Sequence, residues 1–402
     1  MQLKILEPLR HRDFRLLWIG QSVSMLGNAL YSVALPFQIL GLKGTPLQLG
    51  TGFAIYSTSQ LLVILFGGAI VDRLPRRRVI LTSDLASGVV VGAVAVLGLT
   101  GSLQIPHLYA ASAFFGIASA FYLPAMSAIM PELVPKDVLV AGNSLRGLSR
   151  QSARILGPLV GGFIVSALGP PVAFGLDAAS FLISFLVFLL ANPPHREAPA
   201  RKPLLSQMRE GLAFTFSVSW IWVSIVGFGF VNGFYFASFT VALPLLVLKV
   251  LMGSAATFGL IGAAAGVGEV VGGLVVGNLR VRRLGLSMYA FYALTALSLM
   301  GYGVAPLLPV VLVASAAFAA SLVAANTLWE SALQKHVPGE LIGRVTSVDF
   351  FGSFLVGPVA PILAAAAIER IGPGAIFLIG GAVSLVFTLS AAAATRSIRE
   401  LE

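Results

Sequence analysis

Cysteine does not occur in the chain, which excludes a disulfide framework, a thiol nucleophile and a thiolate metal site. Charge is scarce as well: Asp, Glu, Lys and Arg make up 10% of the residues, where soluble globular chains carry about a quarter. Histidine is limited to His11, His107, His195 and His336, scattered in or beside loops, so no metal cluster is expected. No Gly-x-x-x-x-Gly-Lys-Ser/Thr loop occurs, which removes the usual route to ATP. Gly262, Gly266 and Gly268 superficially match a dinucleotide loop, but no strand precedes them, and they read as close-packing positions inside an apolar helix. With no nucleophile and base pair and no cofactor motif, an enzyme is not expected.

What the chain has is apolar residues, 57% of the total, gathered into long runs. About 20 apolar residues cross the ~30 Å core of a bilayer. Twelve runs of that kind fall near 14–40, 48–71, 79–100, 107–130, 145–168, 172–191, 219–247, 256–277, 286–304, 307–331, 346–368 and 374–394. The expected fold is therefore an all-α integral membrane protein with no separate soluble domain. The first run, Phe14 to Leu40, is too long for a signal-peptide core and reads as the first helix. The connection from Asn192 to Arg209 is the longest, rich in proline and charge. It divides the chain into a six-helix bundle over 1–191, a cytoplasmic linker over 192–216 whose Leu204 to Phe216 stretch reads as an amphipathic surface helix, and a second six-helix bundle over 217–402.

The formal charge of +10 raises the possibility of a nucleic-acid partner, but the cations lie in short loops between spans rather than on one face. With an inside amino terminus, 20 Lys and Arg fall on the inner side and only Lys43, Lys249 and Arg370 on the outer, setting aside Arg146, Arg150 and Arg154 within a span. This asymmetry places both termini in the cytoplasm. The halves also repeat. Asn28-Ala29-Leu30-Tyr31 returns as Asn232-Gly233-Phe234-Tyr235, each followed by Ala-Leu-Pro; Val134-Pro135 returns as Val337-Pro338; Gly157-Pro158 returns as Gly357-Pro358. Arg280-Val281-Arg282-Arg283 repeats a cationic loop of the first half, with Gly277 in place of that loop's acid, Asp72.

That loop is the densest charge in the chain: Gly68-Ala69-Ile70-Val71-Asp72-Arg73-Leu74-Pro75-Arg76-Arg77-Arg78. It resembles the signature between helices 2 and 3 of the major facilitator superfamily, Gly-x-x-x-Asp-Arg-x-Gly-Arg-Arg, at Gly68, Asp72, Arg73, Arg76 and Arg77, with Pro75 where the family prefers glycine. Gly157, Pro158, Gly161 and Gly162 resemble the end of a second signature, found in its exporter branches, although Ala153 stands where another glycine is usual. Asp84, the Pro124 to Pro135 stretch, Asn143 and Asp177-Ala178-Ala179-Ser180-Phe181 look like the branch that includes enterobactin exporters and macrolide efflux proteins. The resemblance implies two pseudo-symmetric six-helix bundles that alternate access to a midplane site. It also implies gating by the two motifs and a cavity drawn from spans 1, 4, 7 and 10. Asn28, Tyr31, Tyr122, Asn232, Tyr235, Phe236, Asn326 and Trp329 are the polar and aromatic residues those spans offer, a mixture that suits an amphipathic substrate better than a sugar.

Arg146, Arg150 and Arg154 share one helix face. Arg150 and Arg154 are expected to be buried charge, serving anion recognition, a gate ion pair or a structural pair. Glu269 lies near the middle of its span, where desolvation disfavours the ionised form, and is the leading candidate for a coupling proton, ahead of Asp177, Asp84 and Glu330. The start of span 11, near Thr346 and Ser347, is expected to offer free backbone N–H groups to Asp72. The reading that results is a monomeric, proton-driven exporter of drug-like or siderophore-like amphipathic molecules in a bacterial-type inner membrane, with lipid around it and no nucleic-acid partner. A lipid or lysophospholipid flippase-like carrier and a non-transporting receptor or structural subunit are the alternatives.

Overall fold

The computed structural model describes residues 4–71, 75–192, 204–304 and 307–402. Asp72 and Arg73 lie outside the described residues, as does most of the linker before Leu204. Every regular element described is helical. A spanning segment has no water to satisfy its backbone, and a helix closes all its hydrogen bonds within itself.

The elements are α1 (Arg12–Gly41), α2 (Pro46–Val71), α3 (Arg76–Leu99), α4 (Ile105–Leu133), α5 (Leu139–Leu168) and α6 (Pro170–Leu189), then α7 (Leu204–Ser217), α8 (Ser219–Ala237), α9 (Leu243–Lys249) and α10 (Ala255–Asn278). The last six are α11 (Leu284–Val304), α12 (Leu308–His336), α13 (Gly339–Phe354), α14 (Ala360–Ile371), α15 (Pro373–Ala394) and α16 (Arg396–Arg399). Among the described residues ten helices are long and apolar enough to cross a membrane, counting Ser219–Lys249 as one, and α2 is a further 26-residue helix without a charged side chain. The chain is a multi-pass membrane protein.

Two spans differ from the sequence reading. The run over 346–368 is not one helix: α13 ends at Phe354 and α14 starts at Ala360. Pro358 and Pro361 each remove a backbone donor, and Pro361 falls in the first turn of α14, where no donor is needed. The matching Gly157-Pro158 has no second proline behind it, and α5 runs through Pro158 unbroken. Helix α13 also begins earlier than expected for span 11, at Gly339. Thr346 and Ser347 therefore sit inside α13, their hydroxyls bonded back to the carbonyls of Ile342 and Gly343 at 2.8 Å, and the free N–H groups expected there for Asp72 are not present. In span 7, a π-helical turn over Ser238–Ala242 joins α8 to α9 just before Pro244.

The chain forms two compact units, Met1–Pro199 with Gly253–Ala263, and Ala200–Met252 with Ala264–Glu402. In the first, α1 packs on α5 and α6, α2 on α4, and α3 on α4 and α6. Phe14, Leu17, Ile80, Ile129 and Phe188, each 1% exposed or less, anchor its core. In the second, α11 packs on α12 and α15, and α13 on α7 and α8. The stretch expected as a surface helix over 204–216 is helical, as α7; it buries Gly211 and Thr215 and places Glu210 in an ion pair with Arg344 of α13.

Within the second unit α10 meets α12 backbone to backbone. A Cβ on Gly268 would run into the Ala316 carbonyl, and one on Gly272 into the Ala320 carbonyl, so one residue every turn must be glycine on this face. Gly273, one position round the helix, has nothing within 4 Å. Gly272→Ala is expected to lower stability by about 1–3 kcal/mol through overpacking, and Gly273→Ala to leave it unchanged or raise it. Melting temperatures of the purified protein in detergent check this, and equal values for the two variants would refute the close contact.

Candidate functional site

A cavity of about 460 Å³ opens in the second unit among α8, α11, α12 and α13. Helical spacing builds its walls. Ser224, Phe228, Asn232 and Tyr235 recur every three or four residues and so share one face of α8, while Asn326, Trp329, Glu330 and Leu333 do the same on α12 and Thr346, Asp349 and Ser353 on α13. Tyr292 of α11 closes one side: its hydroxyl donates to Asn326 Oδ1 at 2.9 Å, and its ring lies 3.9 Å from that of Phe228. The indole Nε1 of Trp329 donates to Asp349 Oδ2 at 2.8 Å, and Ser353 lines the cavity one turn further along α13. Trp220 packs edge-on against Trp329, with centroids 5.5 Å apart. The lining holds two carboxylates, Asp349 and Glu330, and no lysine or arginine.

Asn232, Tyr235, Asn326 and Trp329 are thus brought into one cavity, and Phe236 is not among its lining residues. Sequence reasoning missed Phe228, Tyr292 and Asp349. Asp349 reads as an acid near a span end, and only the start of α13 at Gly339 carries it three turns into the helix.

The first-unit candidates have different surroundings. Asn28 is exposed and its amide bonds back to the Ser24 carbonyl at 3.0 Å. Tyr31 is held between Phe115 and Phe174, with its buried hydroxyl unpartnered. Tyr122 does not simply face a cavity: its hydroxyl donates to Gln21 Oε1, Gln21 Nε2 donates to Ser184 Oγ at 3.4 Å, and Ser184 Oγ donates to Asp84 Oδ2 at 2.7 Å. This donor chain links α4, α1, α6 and α3 and ends on a carboxylate only 1% exposed. Asp177 is 0% exposed; Ser180 donates to its Oδ1 at 3.4 Å, its Oδ2 is unpartnered, and Gly27 of α1 leaves the room it occupies.

Burial therefore falls differently from the sequence reading. Glu269 is half-buried and Glu330 exposed, whereas Asp84 and Asp177 are the acids withdrawn into the protein. The expectation that Arg150 and Arg154 are buried is also corrected, for both are exposed. The buried positions of α5 are Gly142, Leu145, Ala153, Gly157, Gly161, Gly162 and Val165, and none of the three arginines is among them. Arg146 is the most enclosed of the three, with its Nε unpartnered and Tyr122 near enough to interact electrostatically.

The motif residues that are described act as packing and anchoring groups. A Cβ on Gly157 would meet Ala29 Cβ; Gly161 lies against Leu30, and Gly162 against the Ala255 carbonyl within the same unit. Pro158 offers its carbonyl face to Gly259. Arg76 pairs with Glu132 and donates to the Ala128 carbonyl at 3.1 Å, near the end of α4. Arg77 donates from Nε to the Ala191 carbonyl and from Nη2 to the Leu189 carbonyl, both at 2.8 Å, capping the last turn of α6. Gly68 falls near the end of α2. Among the described residues no cluster of His, Asp and Glu has the geometry of a metal site.

Residues 17–361 match the sequence profile of the Major Facilitator Superfamily. The chain is similar to the enterobactin exporter EntS of Citrobacter koseri, 24% identical over 92% of this chain and 90% of that protein, and to EntS of Salmonella paratyphi A, 24% identical over 94% and 92%. In fold it is similar to the nucleoside transporter NupG (TM-score 0.73, 12% identity, 95% of this chain and 98% of the other). A bacterial homologue of the iron transporter ferroportin is also similar (TM-score 0.72, 14% identity, 95% and 99%).

Arg77 and Arg78 are adjacent, yet only Arg77 is half-buried and caps a helix. Arg77→Gln is expected to cost about 1–2 kcal/mol, because two charge-assisted bonds to carbonyls are lost at a partly solvated site. Hydrogen exchange at the end of α6 should rise with it. Arg78→Gln, at an exposed position, is expected to stay within about 0.5 kcal/mol of the parent.

Proposed function

Because the chain belongs to the major facilitator superfamily, we propose that it is a proton-coupled exporter of amphipathic small molecules, working by alternating access in a bacterial inner membrane. The likeness to enterobactin exporters supports the outward direction. The cationic inner loops support cytoplasmic termini. No cofactor is invoked, since the proton gradient supplies the energy.

The observation that carries the coupling is the donor chain from Tyr122 through Gln21 and Ser184 to Asp84. Among the described residues no cation pairs with Asp84. Burying a carboxylate without a counter-ion costs several kcal/mol, and a bound proton removes that cost. Release of the proton then requires a state in which the carboxylate is hydrated, which alternating access provides. A proton on Asp84 adds a donor beside Ser184, while the bonds from Tyr122 to Gln21 Oε1 and from Gln21 Nε2 to Ser184 keep their direction, because an amide oxygen only accepts and an amide nitrogen only donates. Tyr122 is half-buried, so its hydroxyl can sense substrate at one end of a chain whose other end holds the proton. Asp177 is the second site of this kind, and the half-buried Glu269 ranks after both.

Asp84→Asn retains an acceptor for Ser184 but cannot exchange a proton. It is expected to keep equilibrium substrate binding and downhill exchange in proteoliposomes while losing accumulation driven by a pH gradient, and Glu269→Gln is expected to keep all three. Full gradient-driven accumulation by Asp84→Asn would move the coupling proton to Asp177 or Glu269.

A further inference from the structure

We propose that the cavity of the second unit is a binding site for an organic cation with an aromatic or bulky apolar body, with Asp349 as its counter-ion. The proposal rests on the transporter reading and names the substrate chemistry of one site within it.

Asp349 and Glu330 face a space with no lysine or arginine on its walls, and among the described residues neither acid forms an ion pair. Two carboxylates without a cation create a negative potential that repels an anionic ligand and stabilises a positive one. Glu330 is exposed and solvated, so its charge is partly screened; Asp349 lies deeper and keeps more of its field.

Geometry adds direction. The Trp329 indole N–H donates to Asp349 and so fixes the orientation of its carboxylate. This donor carries no charge, so the carboxylate is positioned but not neutralised. Phe228, Tyr235, Tyr292 and Trp329 line the same cavity. Aromatic faces attract a cation and bury an apolar body at once. A Trp whose N–H is given to a carboxylate presents a more electron-rich ring, which strengthens that attraction. The volume of about 460 Å³ lies in the range of small-molecule sites. A sugar or nucleoside would require more neutral hydrogen-bonding groups than Asn232 and Asn326 supply, and Asn326 already accepts from Tyr292.

The test is equilibrium binding to the purified full chain in detergent without any gradient, so that a failure of proton coupling leaves the result untouched. The probes are tetraphenylphosphonium, its near-isosteric anion tetraphenylborate and neutral triphenylphosphine oxide, read by tryptophan fluorescence quenching and by the shift in melting temperature. Tetraphenylphosphonium is expected to bind and to stabilise, with the anion binding at least about tenfold more weakly. Asp349→Asn is expected to weaken the cation by about tenfold or more and to narrow the gap to the neutral probe. Glu330→Gln should weaken it less, and Glu369→Gln, which removes an exposed acid of α14 outside the cavity, should leave it unchanged. Should Asp349→Asn fail to fold, the preference among the three probes in the parent protein and the Glu330→Gln variant still decide. Equal or tighter binding of tetraphenylborate, or cation affinity indifferent to both acid substitutions, would overturn the proposal.

Discussion

A polar group in hydrocarbon must find its partner inside the protein, and that requirement shapes almost every feature described. It makes each described element a helix, because only a helix satisfies its own backbone across a bilayer. It explains where helices are allowed to break. The gap between α13 and α14 falls where Pro358 and Pro361 have already removed donors, and the π-helical turn before α9 falls just ahead of Pro244. It also explains why Arg77 reaches back to two carbonyls at the end of α6, which would otherwise lack donors.

The same requirement divides the acids into two classes. Asp84 and Asp177 are enclosed among α1, α3 and α6 with serine hydroxyls for company, so their ionisation is a matter of protons and hydration. Asp349 and Glu330 face a cavity with aromatic walls and no cation, so their charge is available to a ligand. The two kinds of acid lie on different helices, so each is tuned by its own neighbours.

The duplication visible in the halves sharpens this contrast. Asn28 and Asn232 occupy equivalent places, yet Asn28 bonds to its own helix and Asn232 lines the cavity. Gly157-Pro158 lies in an unbroken α5 whose small residues admit α1 closely, while Gly357-Pro358 lies in the break between two helices. Equivalent positions in the two halves thus have different surroundings.

The sequence by itself determined the solvent of the protein, its helical class, most of its span positions apart from the broken run over 346–368, and its family resemblance, because apolar run length, loop charge and motif spacing are local properties that need no partner to be read. It also put Asn232, Tyr235, Asn326 and Trp329 on one list of candidates. Only the tertiary structure decided which acids are withdrawn from solvent, because burial depends on which face of a helix its neighbours cover. Asp84 and Asp177 fall on packed faces, whereas Glu269 is half-buried and Arg150 and Arg154 are exposed. The donor chain from Tyr122 to Asp84 was invisible for the same reason. Its four residues lie on four helices, up to 163 positions apart for Gln21 and Ser184, and hydrogen bonds between them exist only once those helices pack.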